Sequence, residues 1–385
     1  MGYFDEEHDL FREGLKAFLA KEVVPHVDEW ERTGTIDRSI WKKMGEMGYL
    51  GINYPEQYGG LDLGLKYMII LCEELQKVNS GGFAAAVWAH AYLAMTHLNS
   101  EGSEEIKDTY LRDSIDGTKV GCLCITEPFG GSDVAAIRTT AIREGDEIVI
   151  NGSKTFITNG VYSDYLIVVA RSSTTDDRAM GIYLVDRDTP GVSANKLDKL
   201  GWRASDTGEI AFDNVRIPAS RLMGQEGSGF YYVMQHFALE RLIMGINAHA
   251  RAEYAIEYTL QYMSERHAFG QSIDRFQALR HRIADMITEV QVVKTFNYDT
   301  AVRLDQGEYV VKEATMSKLK GTKVADDVIY DCLQMLGGYG YMEEYPLARM
   351  LRDSRLGPIG GGTSEILREI IAKIVIDKKD YKAKL

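Results

Sequence analysis

The sequence predicts an α+β protein of three units, helical at both ends with a β-domain between. Residues 4–115 and 226 to the end carry apolar residues at helical spacing, whereas 119 to about 218 breaks into short β-rich runs divided by turn signals. The chain has 385 residues of which 45% are hydrophobic, more than one compact core holds. The expected units are an N-terminal helical domain (1–118), a central antiparallel β-barrel or sandwich (119–225) and a C-terminal four-helix bundle (226–385).

In the first unit, Leu10, Phe11, Leu15, Phe18 and Leu19 mark one helix. Trp41, Met44 and Met47 begin a second, which stops at the turn-rich run from Asn53 to Gly60. Apolar segments at 65–77, 84–98 and 104–115 give three more. In the second unit, Glu147–Asn151 reads as a strand reaching a turn at Asn151-Gly152, and Tyr165–Ala170, Gly181–Val185 and Gly208–Val215 read as further strands. In the third, helices are expected at about 229–264, 276–305, 309–336 and 363–376.

Composition excludes several classes. The balance is 57 acidic against 44 basic residues, net −13, with no basic run beyond the modest tail Asp377-Lys378-Lys379, so a nucleic-acid binder is not expected. The start, Met1-Gly2-Tyr3-Phe4, has no signal-peptide pattern, and no apolar run reaches membrane length, so a cytoplasmic protein is expected. Four cysteines fit a reducing compartment. Cys122 and Cys124 are read as core residues that face opposite ways on a strand, since no second pair completes a zinc site. There is no G-x-G-x-x-G after a strand, no P-loop, no G-x-S-x-G and no H-E-x-x-H.

Cys124-Ile125-Thr126-Glu127-Pro128-Phe129-Gly130-Gly131-Ser132-Asp133 follows the first strand. Its glycines allow close backbone approach, and its hydroxyls and free N–H groups suit a dinucleotide with a planar ring; a strand followed by a polar turn is the plainer reading. The run closely resembles a signature of the acyl-CoA dehydrogenase family. So do Lys154-Thr155-Phe156-Ile157-Thr158-Asn159-Gly160, Glu265-Arg266-His267-Ala268-Phe269-Gly270, Gln334 through Tyr341, Arg352-Asp353 and Gly362-Thr363-Ser364-Glu365-Ile366. These motifs span the chain in the family's order.

The resemblance implies the acyl-CoA dehydrogenase fold, FAD as cofactor, acyl-CoA as substrate, an electron-transferring flavoprotein as electron acceptor, and a homotetramer. It implies that Ile125, Thr126, Gly131 and Ser132 would contact the flavin or its ribityl arm. Phe156 would cover one flavin face, and Thr158 would hydrogen-bond the ring. Arg266, Phe269, Ile273, Phe276 and Gln277 would hold a neighbouring subunit's FAD, Gln334 and Gly338 its pyrophosphate and adenosine part, and Thr363 and Glu365 its phosphates or ribose. Ser132, Phe237, Arg241 and Gly360 would line the substrate site, with Arg241 reaching the CoA moiety and Phe237 beside the pantetheine.

Removing an α-proton from a thioester needs a positioned base. Many family members carry a glutamate where this chain has Gly361, and a tyrosine where it has Gly360. Glu240-Arg241 instead resembles the pair of the isovaleryl-CoA and long-chain branches, whose base is that glutamate. Val233, Phe237, Glu240 and Met244 share one helical stripe, so Glu240 interrupts an apolar face. The competing reading is an ion pair, with His236 as partner. The expected mechanism has Glu240 take the α-proton, the β-hydride go to flavin N5, and the thioester carbonyl accept hydrogen bonds from the ribityl 2′-hydroxyl and the Gly361 N–H. Two glycines at 360 and 361 leave room for branched, bulky or longer acyl groups. The alternatives are a dehydrogenase of acyl groups on an acyl carrier protein, a flavin oxidase or monooxygenase of the same fold, and a scaffold without a base.

Overall fold

In the computed structural model, which describes residues 3–176 and 179–379, the chain runs helix, sheet, helix. Met1, Gly2 and 380–385, which the expected first and last units include, lie outside the described residues.

The N-terminal part is built from α1 (Glu6–Glu22), α2 (Val27–Thr33), α3 (Ser39–Glu46), α4 (Leu65–Lys77), α5 (Gly81–Trp88), α6 (Met95–Glu101), α7 (Glu104–Ile106) and α8 (Arg112–Ile115). Asp5 caps α1 by accepting from the His8 N–H at 3.3 Å, satisfying one of the first-turn donors. A π-type turn, Ala89–Ala94, joins α5 to α6 and points His90 into the core. Burial pushes the His90 pKa down to about 4, so the ring is neutral. Its Nε2 sits 3.1 Å from the Ser114 carbonyl, and its Nδ1 accepts from the Gly121 N–H at 3.0 Å, which ties the helices to the first strand.

The sheet holds β1 (Gly121–Cys124), β2 (Thr140–Glu144), β3 (Glu147–Thr158), β4 (Tyr165–Arg171), β5 (Met180–Asp186), β6 (Val192–Lys196), β7 (Thr207–Pro218) and β8 (Leu222–Met223). Its order is β6-β7-β3-β2-β4-β5-β8, with β1 also against β4. The expected antiparallel arrangement needs correction at two places. β1 pairs with β4 in parallel, Gly121 opposite Tyr165, and Thr140 of β2 meets Arg171 of β4 in parallel. The other pairings are antiparallel. A parallel neighbour needs a long crossover, and the stretch between β1 and β4 supplies one.

Asn151-Gly152 is not a turn. β3 continues through it, and Gly152, at φ +144°, marks a bulge where the register against β7 shifts. The tight reversal lies at Gly145-Asp146, between paired Glu144 and Glu147. Nor do Cys122 and Cys124 face opposite ways. Residues two apart on a strand share a face, and their sulfurs lie 3.7 Å apart in the sheet's core. Both are free thiols.

β4 has no solvent face. Leu166, Val168 and Ala170 enter the core of the sheet, while Tyr165, Ile167 and Val169 enter the core shared with the helices.

The C-terminal part contains α9 (Gly229–Glu265), a small two-stranded ribbon of β9 (His267–Ala268) and β10 (Gln271–Ser272), then α10 (Gln277–Asp305), α11 (Val311–Leu336), α12 (Pro346–Ser354) and α13 (Ser364–Val375). The four long helices sit where the periodicity places them; α12 is an addition. α9 and α11 approach closely at Gly245, where a β-carbon would fall 2.0 Å from Ser317 Oγ. That crossing brings α11 beside the part of α9 that carries Glu240.

Candidate active site

Glu240 is 9% exposed and faces the loop between α12 and α13. A β-carbon built on Gly361 would lie 2.9 Å from Glu240 Oε1 and 2.8 Å from Met244 Sδ. Gly361 has φ +60°, a left-handed conformation that a side chain resists. The carboxylate therefore occupies the space that a side chain at 361 would need. Glu240 has no hydrogen-bond or ion-pair partner among the described residues.

His236 is not that partner. Its Nε2 bonds Glu101 Oε1 at 2.9 Å, and His97 Nδ1 bonds Glu101 Oε2 at 2.9 Å. Burial raises the Glu240 pKa; the neighbouring positive charges of Arg241 and Lys318 oppose the shift without cancelling it.

Lys318, on α11, is a site residue that the sequence reading missed. It is fully buried and donates its Nζ to the Gly362 carbonyl. Burial pushes its pKa down to about 8, with Glu240 pulling the other way. A signal existed in the sequence. Ala314, Lys318, Gly321 and Ala325 share one helix face, so the lysine interrupts a stripe of small residues. Arg241 is buried, donates to Thr315 Oγ1 at 3.5 Å and lies over the Phe237 ring at 5.4 Å. Gly360 is open: a β-carbon there meets nothing closer than Leu356 Cγ at 3.7 Å.

A second group of the expected residues sits on the sheet. After β1, the loop carrying Ile125, Thr126, Gly131 and Ser132 is held from beneath by a buried ion pair. Lys154 Nζ donates to Glu127 Oε1 at 2.8 Å and to the Ile125 carbonyl at 2.9 Å. Glu127 also accepts from the Arg138 and Thr139 N–H groups at 2.6 and 3.0 Å. Burial opposes ionisation of Glu127, but Lys154 and these hydrogen bonds outweigh it and hold the carboxyl below its usual range. Ile125 is buried, Thr126 half-buried, Gly131 and Ser132 exposed. On β3 a second bulge puts Phe156 at φ +59° and leaves its ring 69% exposed, with Thr158 half-buried two residues on. An exposed aromatic held in a left-handed bulge is an uncommon surface feature.

The third group lies at the far end of the bundle. Arg266, Ile273, Gln334 and Gly338 line an open groove of about 490 Å³ with Tyr262 and Tyr339. The Arg266 guanidinium stands over the Tyr339 ring at 5.7 Å. Phe269, at φ +54°, is 95% exposed and meets half-buried Phe276 edge-on at 6.1 Å, while Gln277 opens α10, exposed. Thr363 and Glu365 do not join this group: Thr363, two residues past Gly361 and so at the Glu240 end, caps α13 by accepting from the Ile366 N–H at 3.4 Å, and Glu365 is exposed beside Arg368.

The structure brings Glu240, Gly361, Arg241 and Phe237 together. Arg266 is far from them: 26 residues after Glu240 on and just beyond the same helix, it is about 39 Å away at 1.5 Å per residue. Among the described residues, no helix is long and apolar enough to cross a membrane.

Three family models cover the chain: the acyl-CoA dehydrogenase N-terminal domain at residues 5–118, the middle domain at 122–215 and the C-terminal domain at 227–376. The long-chain specific acyl-CoA dehydrogenase of Sus scrofa is 38% identical over 98% of this chain and 88% of its own length. The isovaleryl-CoA dehydrogenase of Solanum tuberosum is 36% identical over 96% of this chain and 90% of its own. An acyl-CoA dehydrogenase structure from Geobacillus kaustophilus superimposes with a TM-score of 0.95 at 39% identity, covering 97% of this chain and 99% of that one. Another from Bacillus anthracis, solved with FAD, gives 0.91 at 29% identity over 97% of this chain and 67% of that one. The carboxylate set against Gly361, the exposed aromatic on β3 and these full-length matches agree: this chain belongs to the acyl-CoA dehydrogenase family.

Proposed function

We propose that this acyl-CoA dehydrogenase desaturates its thioester between the α and β carbons with Glu240 as the base. The observation that carries the reading is the buried, unpartnered Glu240 carboxylate against Gly361. FAD is the cofactor, and when bound it supplies the hydride acceptor.

The residues present fit that group. Thr126 and Ser132 offer hydroxyls, Phe156 offers a ring face, and Arg266 offers a guanidinium suited to a diphosphate. Since Arg266 lies about 39 Å from Glu240 by helix rise, its groove is beyond the reach of a dinucleotide at the same chain's base. It would hold the FAD of a second subunit, with exposed Phe269 at that contact, in a homo-oligomer.

Glu240 Oε1, turned to Gly361, receives the α-proton. The Gly361 N–H donates to the thioester carbonyl oxygen, which gains negative charge as the proton leaves. Lys318 fixes that loop through the Gly362 carbonyl. Arg241 and Phe237 contact the CoA arm, and electrons leave to an electron-transferring flavoprotein.

The pH dependence tests the base. Glu240 accepts a proton only when ionised, and burial raises its pKa above that of a solvated glutamate, about 4.3. The rate of anaerobic flavin reduction should therefore fall with decreasing pH, along a limb displaced upward from about 4.3. A limb at the solvated value would contradict desolvation as the cause.

The acyl preference is the finer part of the proposal. Glycine at 360 leaves space that a tyrosine ring would fill, and a β-carbon fits there without a clash. Gly360→Tyr should lower kcat/KM more for branched and bulky acyl-CoAs than for linear ones. A substrate panel followed by flavin bleaching reads this, and equal loss across the panel removes Gly360 from specificity.

A further inference from the structure

Beyond Met244, on the side away from Glu240, lies a buried cavity of about 40 Å³ between α4, α5, α9, α11 and α12. Met244 belongs to both places, since it lines the cavity and its sulfur packs against Gly361. A hydrocarbon tail passing Met244 would normally end among aliphatic side chains. Here Gln76, Asn247, Arg251 and Trp202 line the end instead.

Two of these groups are donors with nothing to donate to. Asn247 is 9% exposed; its Oδ1 accepts from Gln76 Nε2 at 2.7 Å, but its Nδ2 has no partner. Trp202 is equally buried, and its indole Nε1 has no partner either. A buried unmade hydrogen bond costs about 1–3 kcal/mol, so two such donors on residues lining one cavity call for an acceptor.

The carboxylate and amide acceptors of the wall are already used. Asp353 accepts from the backbone N–H groups of Trp202 and Gly81 at 2.6 and 2.9 Å, and Gln76 Oε1 accepts from Arg251 Nε and Nη2 at 2.9 and 2.6 Å. Charge does not favour an anion. Arg251 already faces Asp353, Asp326 and Glu31, so an added carboxylate would meet a neighbourhood with its positive charge answered.

We propose that this cavity is the distal end of the acyl pocket and selects a thioester whose chain carries a neutral oxygen, a hydroxyl or carbonyl, there. The inference rests on the dehydrogenase reading with Glu240 as base. Asn247 follows Glu240 by seven residues, about 10.5 Å of helix, which an extended chain covers in about eight carbon–carbon bonds. The oxygen accepts from Asn247 Nδ2 and Trp202 Nε1. Trp88, edge-on to Trp202 at 5.7 Å, walls the chain just before it.

The test compares decanoyl-CoA, ω-hydroxydecanoyl-CoA and the ω-carboxyl analogue on the FAD-loaded protein. kcat/KM for the hydroxylated thioester should exceed that for decanoyl-CoA by about tenfold or more. Trp202→Phe keeps a ring and removes one donor; Asn247→Leu keeps the volume and removes the other. Each should shrink the ratio, and decanoyl-CoA should lose least. The same ratio should appear in dissociation constants measured with the Glu240→Gln protein, where turnover plays no part. Equal constants for hydroxylated and plain chains would mean that the donors serve a trapped water, and would overturn the proposal. A larger gain for the ω-carboxyl chain would overturn the neutral assignment. Failure of every thioester to bleach the wild-type flavin, with the binding ratio intact, would instead strike the dehydrogenation reading and leave the pocket standing.

Discussion

Glu240→Gln protein mixed anaerobically with an acyl-CoA should keep its flavin oxidised. Glutamine has nearly the same shape and cannot accept a proton at neutral pH, so binding survives while the α-proton has nowhere to go. A positioned general base contributes about 10²–10⁴-fold, and the loss should appear in the reductive half-reaction. Dithionite should still bleach the variant, since that route needs no base. Substrate reduction at near wild-type rate would remove Glu240 from the role. Adding Gly361→Glu to this variant is a poor rescue: its β-carbon would lie 2.9 Å from the side-chain oxygen at 240 and 2.8 Å from Met244 Sδ. The exchange with a chance is Glu240→Gly with Gly361→Glu, which clears the carboxylate first. Strain at φ +60° would still cost about 1–2 kcal/mol.

Lys154→Met should cost stability and FAD together. Lys154 is fully buried and Glu127 nearly so, and removing one partner of a buried pair costs about 3–5 kcal/mol because the other charge is stranded. The damage is directional. Lys154 also holds the Ile125 carbonyl, and Glu127 holds the N–H groups of Arg138 and Thr139, so the loop bearing Thr126, Gly131 and Ser132 loses its floor. Thermal unfolding and flavin absorbance per chain measure both effects. Adding Glu127→Gln should recover part of the stability, as it removes the stranded charge, but not the Ile125 contact. Full FAD occupancy in Lys154→Met with an unchanged melting temperature would show that the pair does not support the loop.

Legibility in the sequence followed the range of the interaction. The long helices were readable because their pattern repeats every few residues. Glu240 was readable because a carboxylate broke an apolar stripe while glycine stood at 361. The Glu127–Lys154 pair was not, because nothing local links positions 27 residues apart. Lys318 was hidden for a similar reason: its own segment, with Lys320 and Lys323 nearby, reads as a solvated charge run, and only the small residues on its face betray burial. The parallel pairing of β1 was out of reach because period-two patterning carries no direction. The bulge at Gly152 escaped because Asn-Gly serves hairpin turns and bulges alike, and the one at Phe156 because a phenylalanine within a strand-like run gives no sign of a left-handed backbone.

β4 bears on how far the sheet can move against the helices. A strand with side chains in two cores couples them mechanically: swinging the sheet away from the helices would drag Tyr165, Ile167 and Val169 into water. At about 1.5–3 kcal/mol for each large apolar side chain exposed, such a hinge is a costly gate. The segment from Gly357 to Gly362 is held as well, by Lys318 at the Gly362 carbonyl and by turn hydrogen bonds from Gly357, Ile359 and Gly360 back to Ser354 and Leu356. Along this seam the sheet and the helices act as one block.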